Sequence, residues 1–91
     1  MLKLEITNNA FKFIQSLSPK QFKPIHMAIY DLMKNPEPND SIPLKGYPDF
    51  FRKDIGEYRI IYRFDSESIY IELIGKRNDD EVYKQMRRLL S

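Results

Sequence analysis

FFRKDIGEYRIIYRFDSESIYIELIG, residues 50–75, is rich in Ile, Tyr and Phe and is interrupted at Gly56-Glu57 and again from Asp65 to Ser68. That composition and punctuation predict three antiparallel strands joined by hairpins. A two-residue Gly-X connection suits a type II′ turn, which would pair Ile55 with Tyr58, Asp54 with Arg59, Lys53 with Ile60 and Arg52 with Ile61. Side chains alternate across a strand. Arg52, Asp54, Arg59, Ile61 and Arg63 therefore fall on one face, and Phe51, Ile55, Tyr58, Ile60, Tyr62 and Phe64 on the other. The second set reads as the core face. The first is a basic face holding one acid, open to solvent or a ligand.

Outward from this meander, residues 2–6 alternate apolar and charged, the pattern of a short half-buried strand. Thr7, Asn8 or Asn9 can cap a helix whose Ala10, Phe13, Ile14 and Leu17 share a face. Ser18-Pro19-Lys20-Gln21 reads as a second helix start, with Ser18 as N-cap, Pro19 at the first position and Gln21 closing a capping box. Phe22, Ile25, Ala28, Ile29, Leu32 and Met33 form its apolar stripe, and Pro24 is expected to kink it or delay its regular part. NPEPNDSIPLKGYP, residues 35–48, holds four of the six prolines and reads as a loop. After the meander, Asn78 is a good N-cap for a last helix. Asp79, Asp80 and Glu81 suit the positive end of its dipole, and Arg87 and Arg88 the negative end. The order predicts an α+β domain spanning residues 1–91, with a strand, two helices, a three-stranded antiparallel meander and a C-terminal helix, the helices packed on one face of the sheet and the other face free.

The 91 residues, 42% hydrophobic, suffice for one core. The lack of cysteine excludes disulfides and thiolate metal sites, and the single histidine, His26, excludes the usual zinc clusters and a Cys-His dyad. No metal or other cofactor is expected. Asp79, Asp80 and Glu81 do not converge from consecutive helical positions. No apolar run approaches the roughly 18 residues of a membrane span, and the N-terminus lacks a signal-peptide core, so the expected location is the cytoplasm. The net charge of +2 allows a polyanionic partner without demanding one.

Capping and dipole matching leave Lys45, Arg52, Lys53, Arg59, Arg63, Lys76, Arg77 and Tyr83 without a structural role. Several arginines on a sheet face beside an exposed aromatic can clamp a phosphate backbone with a base stacked next to it. An ordinary solvated face is the competing reading, and Tyr83, with Met86 and Leu90 on an apolar stripe, can equally be core.

PLKG at 43–46, FRKDIGEYRIIYRF at 51–64 and IGKRNDDEVYKQMRRLL at 74–90 resemble the RelE/ParE toxin superfamily of toxin-antitoxin pairs. The Gly-Lys-Arg followed by a tyrosine six residues after the arginine is similar to the RelE branch, the ribosome-dependent mRNA endonucleases. The resemblance implies a translation-inhibiting toxin acting on ribosome and mRNA, with a cognate antitoxin as partner. It implies Arg59 and Arg77 as phosphate-binding and charge-stabilising residues, Arg77 also as proton donor to the leaving oxygen, and Tyr83 as the aromatic that stacks on a base. Arg52 matches the first of two basic residues placed two apart on a strand, and Lys45 one in the preceding loop. Lys53, Arg63 and Lys76 are further candidates for substrate contact. The second basic residue of the strand pair is Asp54 here, and a cross-strand bond from Asp54 to Arg59 is the structural expectation. Lys53 points away in an ideal strand, and a bulge near the turn would bring it round. Two alternatives stay open: a ParE-like gyrase inhibitor without nuclease activity, and a toxin-fold partner with impaired cleavage.

Metal-free RNA cleavage needs the 2′-oxygen to lose a proton and attack the adjacent phosphate in line. Arginines suit the charge that builds on phosphate, but the candidate residues include no histidine titrating near pH 7. Such a site needs an external agent to hold the 2′-oxygen in line, which a ribosome can do.

Overall fold

The computed structural model describes residues 1–77 and 81–90. In chain order the elements are β1 (Lys3–Ile6), α1 (Asn8–Gln15), α2 (Pro19–Lys34), β2 (Ile42–Leu44), β3 (Tyr47–Ile55), β4 (Tyr58–Phe64), β5 (Ser68–Lys76) and α3 (Glu81–Leu90). The strands form one five-stranded sheet in the order β1-β5-β4-β3-β2, antiparallel except where β1 joins β5 in parallel. The hairpin register predicted from Gly56-Glu57 is the one observed, from Ile55 opposite Tyr58 to Arg52 opposite Ile61. Gly56 has φ of +58° and among the described residues only glycines adopt positive φ, which fits a II′ turn and not a I′ turn, where both central residues need it.

The helix starts follow the sequence. Thr7 accepts from the Ala10 N–H at 3.2 Å, and its hydroxyl donates to the Glu72 carbonyl at 2.6 Å, so this cap also ties α1 to β5. Ser18 and Gln21 form a complete capping box. The α2 helix runs on through Pro24. Asn78, Asp79 and Asp80, expected to cap and open the last helix, lie outside the described residues, as does the Leu90 side chain. Glu81 does occupy the first turn of α3, and Arg87 and Arg88 its last.

The α+β class and order of elements are as expected, with two differences. First, residues 35–48 are not all loop: β2 and the start of β3 lie there, so the meander has four strands. Pro43 is tolerated because β2 is an edge strand. Pro48 falls where the β2–β3 register jumps from Pro43 opposite Phe51 to Leu44 opposite Tyr47. Gly46, at φ +84°, makes the turn between them.

Second, the helices do not share one face. A core formed by α1 and α2 packs Ala10, Ile25, Ala28, Ile29 and Leu32 against Tyr58, Ile60, Tyr62, Ile69, Ile71 and Ile74. A smaller core on the opposite face brings α3, through Val82 and Met86, against Leu44, Ile61 and Leu73. A bulge in β5 accompanies this division. Ile61 pairs with Leu73 but Tyr62 pairs with Ile71, leaving Glu72 as the extra residue. Ile71 and Ile74 thereby both face α1 and α2, while Leu73 and Gly75 turn toward α3. The face expected to be free is thus partly covered, and what remains open is its margin beside α3.

Candidate functional site

At that margin, three of the predicted residues meet. Arg59 is buried on β4, and Asp54 faces it across the hairpin in the register described. Its Nε donates to Asp54 Oδ1 at 2.7 Å and its Nη2 to Oδ2 at 3.3 Å, so the carboxylate holds the guanidinium at two points. The guanidinium carbon lies 5.9 Å from the centre of the Tyr83 ring. Arg52, two residues from Asp54 on the same face of β3, donates from Nη1 to the Tyr83 hydroxyl at 3.3 Å. The Arg52 Nε is buried and has no hydrogen-bond partner among the described residues. Tyr83 is half-buried: one part packs in the α3 core with Ile61 and Leu73, and the rest meets the two arginines.

The electrostatics extend the cluster. The Arg59 hydrogen bonds hold the Asp54 carboxyl below the usual carboxylate range against the opposing effect of burial, and the fields of Arg59, Arg52 and Arg77 add to it. Arg77 follows directly on β5. Its backbone N–H donates to the Glu57 carbonyl at 2.8 Å, fastening the end of β5 to the hairpin turn. Its side chain is exposed and forms no ion pair among the described residues. Chemically, guanidinium groups beside an aromatic edge are suited to an anion next to a planar ring. Among the described residues no three histidines or carboxylates gather as metal ligands.

No protein-family model matches the sequence, and no curated protein matches it. Solved structures do. The isolated RelE toxin of Escherichia coli superposes with a TM-score of 0.74 over 100% of both chains at 19% identity. A mutant of that toxin in the free state gives a TM-score of 0.81, covering 99% of this chain and 98% of the other, at 18% identity. RelE from the archaeal RelE-RelB complex of Pyrococcus horikoshii is 26% identical, with a TM-score of 0.71 over 85% of this chain and 96% of that one. The chain has the RelE toxin fold.

Not every residue singled out from the sequence joins the cluster on this RelE fold. Lys53 does not: the β3–β4 ladder is regular from Phe51 to Ile55, so no bulge brings it round. It stays on the α2 face, paired with Asp40, and lines a cleft of about 440 Å³ with Met27, Leu32 and Ile55. Lys76 is opposite Tyr58 in register, which puts it on the α1 and α2 side, and it is exposed there. Arg63 shares the face of Arg52 but sits at the far end of β4. Its Nε donates to Glu72 at 2.9 Å and its guanidinium stacks 4.0 Å from the Tyr70 ring centre, contacts that fix it to β5. Lys45 is exposed in the β2–β3 turn, beside Leu44 of the α3 core, and has no ion pair among the described residues. The Arg52–Tyr83 bond escaped sequence reasoning, since nothing local says that α3 crosses to the basic face.

Proposed function

We propose that this protein is the toxin of a type II toxin-antitoxin pair, a ribosome-dependent, metal-independent mRNA endonuclease that blocks translation in the cytoplasm. The observation that carries this reading is the convergence of Arg52, Arg59 and Tyr83 on the margin of a RelE fold, with Arg77 fastened through its backbone to the adjoining hairpin turn. The cleavage forms a bond from the 2′-oxygen to phosphorus as the 2′-proton passes to water, and breaks the bond to the 5′-oxygen, which takes up a proton. The products are a 2′,3′-cyclic phosphate and a 5′-hydroxyl. Arg59 and Arg52 stabilise the charge gathering on the phosphoryl oxygens. Arg77, exposed at the end of β5, supplies the proton to the leaving oxygen. Tyr83 stacks on a base with the part of its ring that the α3 core leaves open. Lys45 is placed to attract the flanking backbone.

Neither tyrosine nor lysine is, as a residue type, suited to take up a proton at neutral pH. The chain's one histidine, His26, is exposed on α2 with its ring tilted against that of Phe22, within the helical layer. Holding the 2′-oxygen in line therefore falls to the ribosome. RelE bound to RelB is among the similar structures, which supports a cognate antitoxin as the partner that keeps the toxin inactive.

The test is incubation with ribosomes carrying a message in the decoding site. Cleavage should occur in the presence of EDTA and disappear when the nucleotide 5′ of the cut carries a 2′-deoxy sugar. An uncut message, or cutting indifferent to the 2′-hydroxyl, overturns the proposal, and inhibition of gyrase supercoiling with an intact message would place the protein with the ParE type.

A further inference from the structure

Asp54 is an acid inside a cluster whose other charges, from Arg52, Arg59 and Arg77, are positive. A carboxylate there weakens the attraction for phosphate, so its presence calls for a compensating role. Both of its oxygens are engaged by the same guanidinium, at 2.7 and 3.3 Å. Ile55 and Tyr58 close the two-residue hairpin, which makes Asp54 and Arg59 a non-hydrogen-bonded pair, the kind in which opposed side chains approach most closely. Arg59 has a long side chain with many rotamers, and this carboxylate grips its charged end. It lies beside the Tyr83 ring, so its orientation also bears on where a stacked base meets the phosphate.

We infer that Asp54 is a positioning residue: it gives up phosphate attraction in order to hold the Arg59 guanidinium in the orientation that serves the cleaved phosphate. The inference rests on the endonuclease reading above. It predicts opposite movements of two kinetic constants. Removing the negative charge strengthens binding of the message in the ground state, while loss of the two-point grip lowers the rate of the chemical step.

The experiment is single-site cleavage on programmed ribosomes with the wild type, Asp54→Asn, Arg59→Ala and the double variant, with melting temperature followed for each. Asp54→Asn should lower kcat roughly tenfold to a hundredfold, the range expected for losing a charged hydrogen bond. KM should fall about two- to fivefold, as one unscreened positive charge would bring about. In the Arg59→Ala background the same substitution should cause no further loss of kcat. Arg59→Lys takes the place of Arg59→Ala in the cycle if the buried position does not tolerate alanine, since lysine keeps the charge but cannot be gripped at two points. A wild type that cuts while Asp54→Asn leaves kcat intact overturns the positioning role alone. So does a loss of kcat that persists undiminished without Arg59, because the carboxylate would then act on the substrate itself. A wild type that leaves the message whole overturns the endonuclease reading and the inference with it.

Discussion

Arg77 and Tyr62 illustrate how differently a residue can matter. Arg77 is exposed, and its described contact is through the backbone, to Glu57. Arg77→Ala should therefore abolish growth arrest and message cleavage while changing stability by no more than about 0.5 kcal/mol, the usual range for surface positions. A cell-growth assay beside a denaturation curve checks both halves. Tyr62 is fully buried on the α1 and α2 face, and its hydroxyl joins Ser41 at 2.8 Å and donates to the Pro36 carbonyl at 2.7 Å. Burial pushes the phenol pKa up, so the group stays a neutral donor. Tyr62→Phe should lose about 1 kcal/mol through the unmet partners in the 36–41 segment. It should leave cleavage unchanged, because Tyr62 faces away from Arg59. Urea denaturation and the ribosome assay separate the two. Single residues of this kind were legible as types: Arg52, Arg59, Arg77 and Tyr83 stood out because capping and core pattern did not account for them. Lys53 and Lys76 stood out equally, and only strand parity removes them.

Among the elements, β5 decides where the site forms. Its alternation breaks at Glu72, and that bulge sends Leu73 and Gly75 toward α3. Residues 68–76 read as a strand from composition alone, but a bulge depends on the partner's register and leaves no local mark in the sequence. For the same reason α3 was expected on the helical face. Its stripe of Val82, Tyr83 and Met86 says that one side is buried, not against which face. Gly75 shows how tightly the crossing is made: a Cβ there would lie 2.6 Å from a Val82 methyl carbon. Gly75→Ala must displace that methyl, and where Val82 cannot turn aside α3 moves outward, with an expected loss of about 1–3 kcal/mol as for an overpacked core. Because Tyr83 travels with the helix, its bond from Arg52 should break. Cleavage should fall further than stability does, and Gly75→Ala with Val82→Ala should recover part of both. A thermal melt paired with the cleavage assay reads this out, and a Gly75→Ala protein with wild-type values would mean that α3 is not fixed by this contact.

For the molecule as a whole, the sheet is one body with a core on each side, and three acids fasten its turns and its approach segment. Asp54 binds Arg59 across the β3–β4 hairpin, Asp65 accepts from the Glu67 and Ser68 N–H groups in the β4–β5 turn, and Asp40 meets Lys53. All three carboxyls are held below their usual range, Asp54 chiefly by Arg59, Asp65 by the two backbone N–H groups and Asp40 by the Lys53 hydrogen bond. A carboxyl whose pKa is depressed in the folded state adds stability that is present above the unfolded value, near 4, and is lost as pH falls through the folded value. The melting temperature should accordingly be level from about pH 5 to 8 and decline below about pH 4. The three acids do not share that loss equally. Asp65 and Asp40 are exposed to solvent, where screening weakens what they contribute, whereas the Asp54 and Arg59 side chains are 29% and 11% exposed. Asp54→Asn should thus flatten much of the acid decline, while Asp65→Asn and Asp40→Asn should leave its shape close to that of the wild type. Melting curves between pH 2.5 and 8 at fixed ionic strength measure this. An Asp54→Asn curve that falls in parallel with the wild type would show that the Asp54–Arg59 pair organises the site without holding the fold.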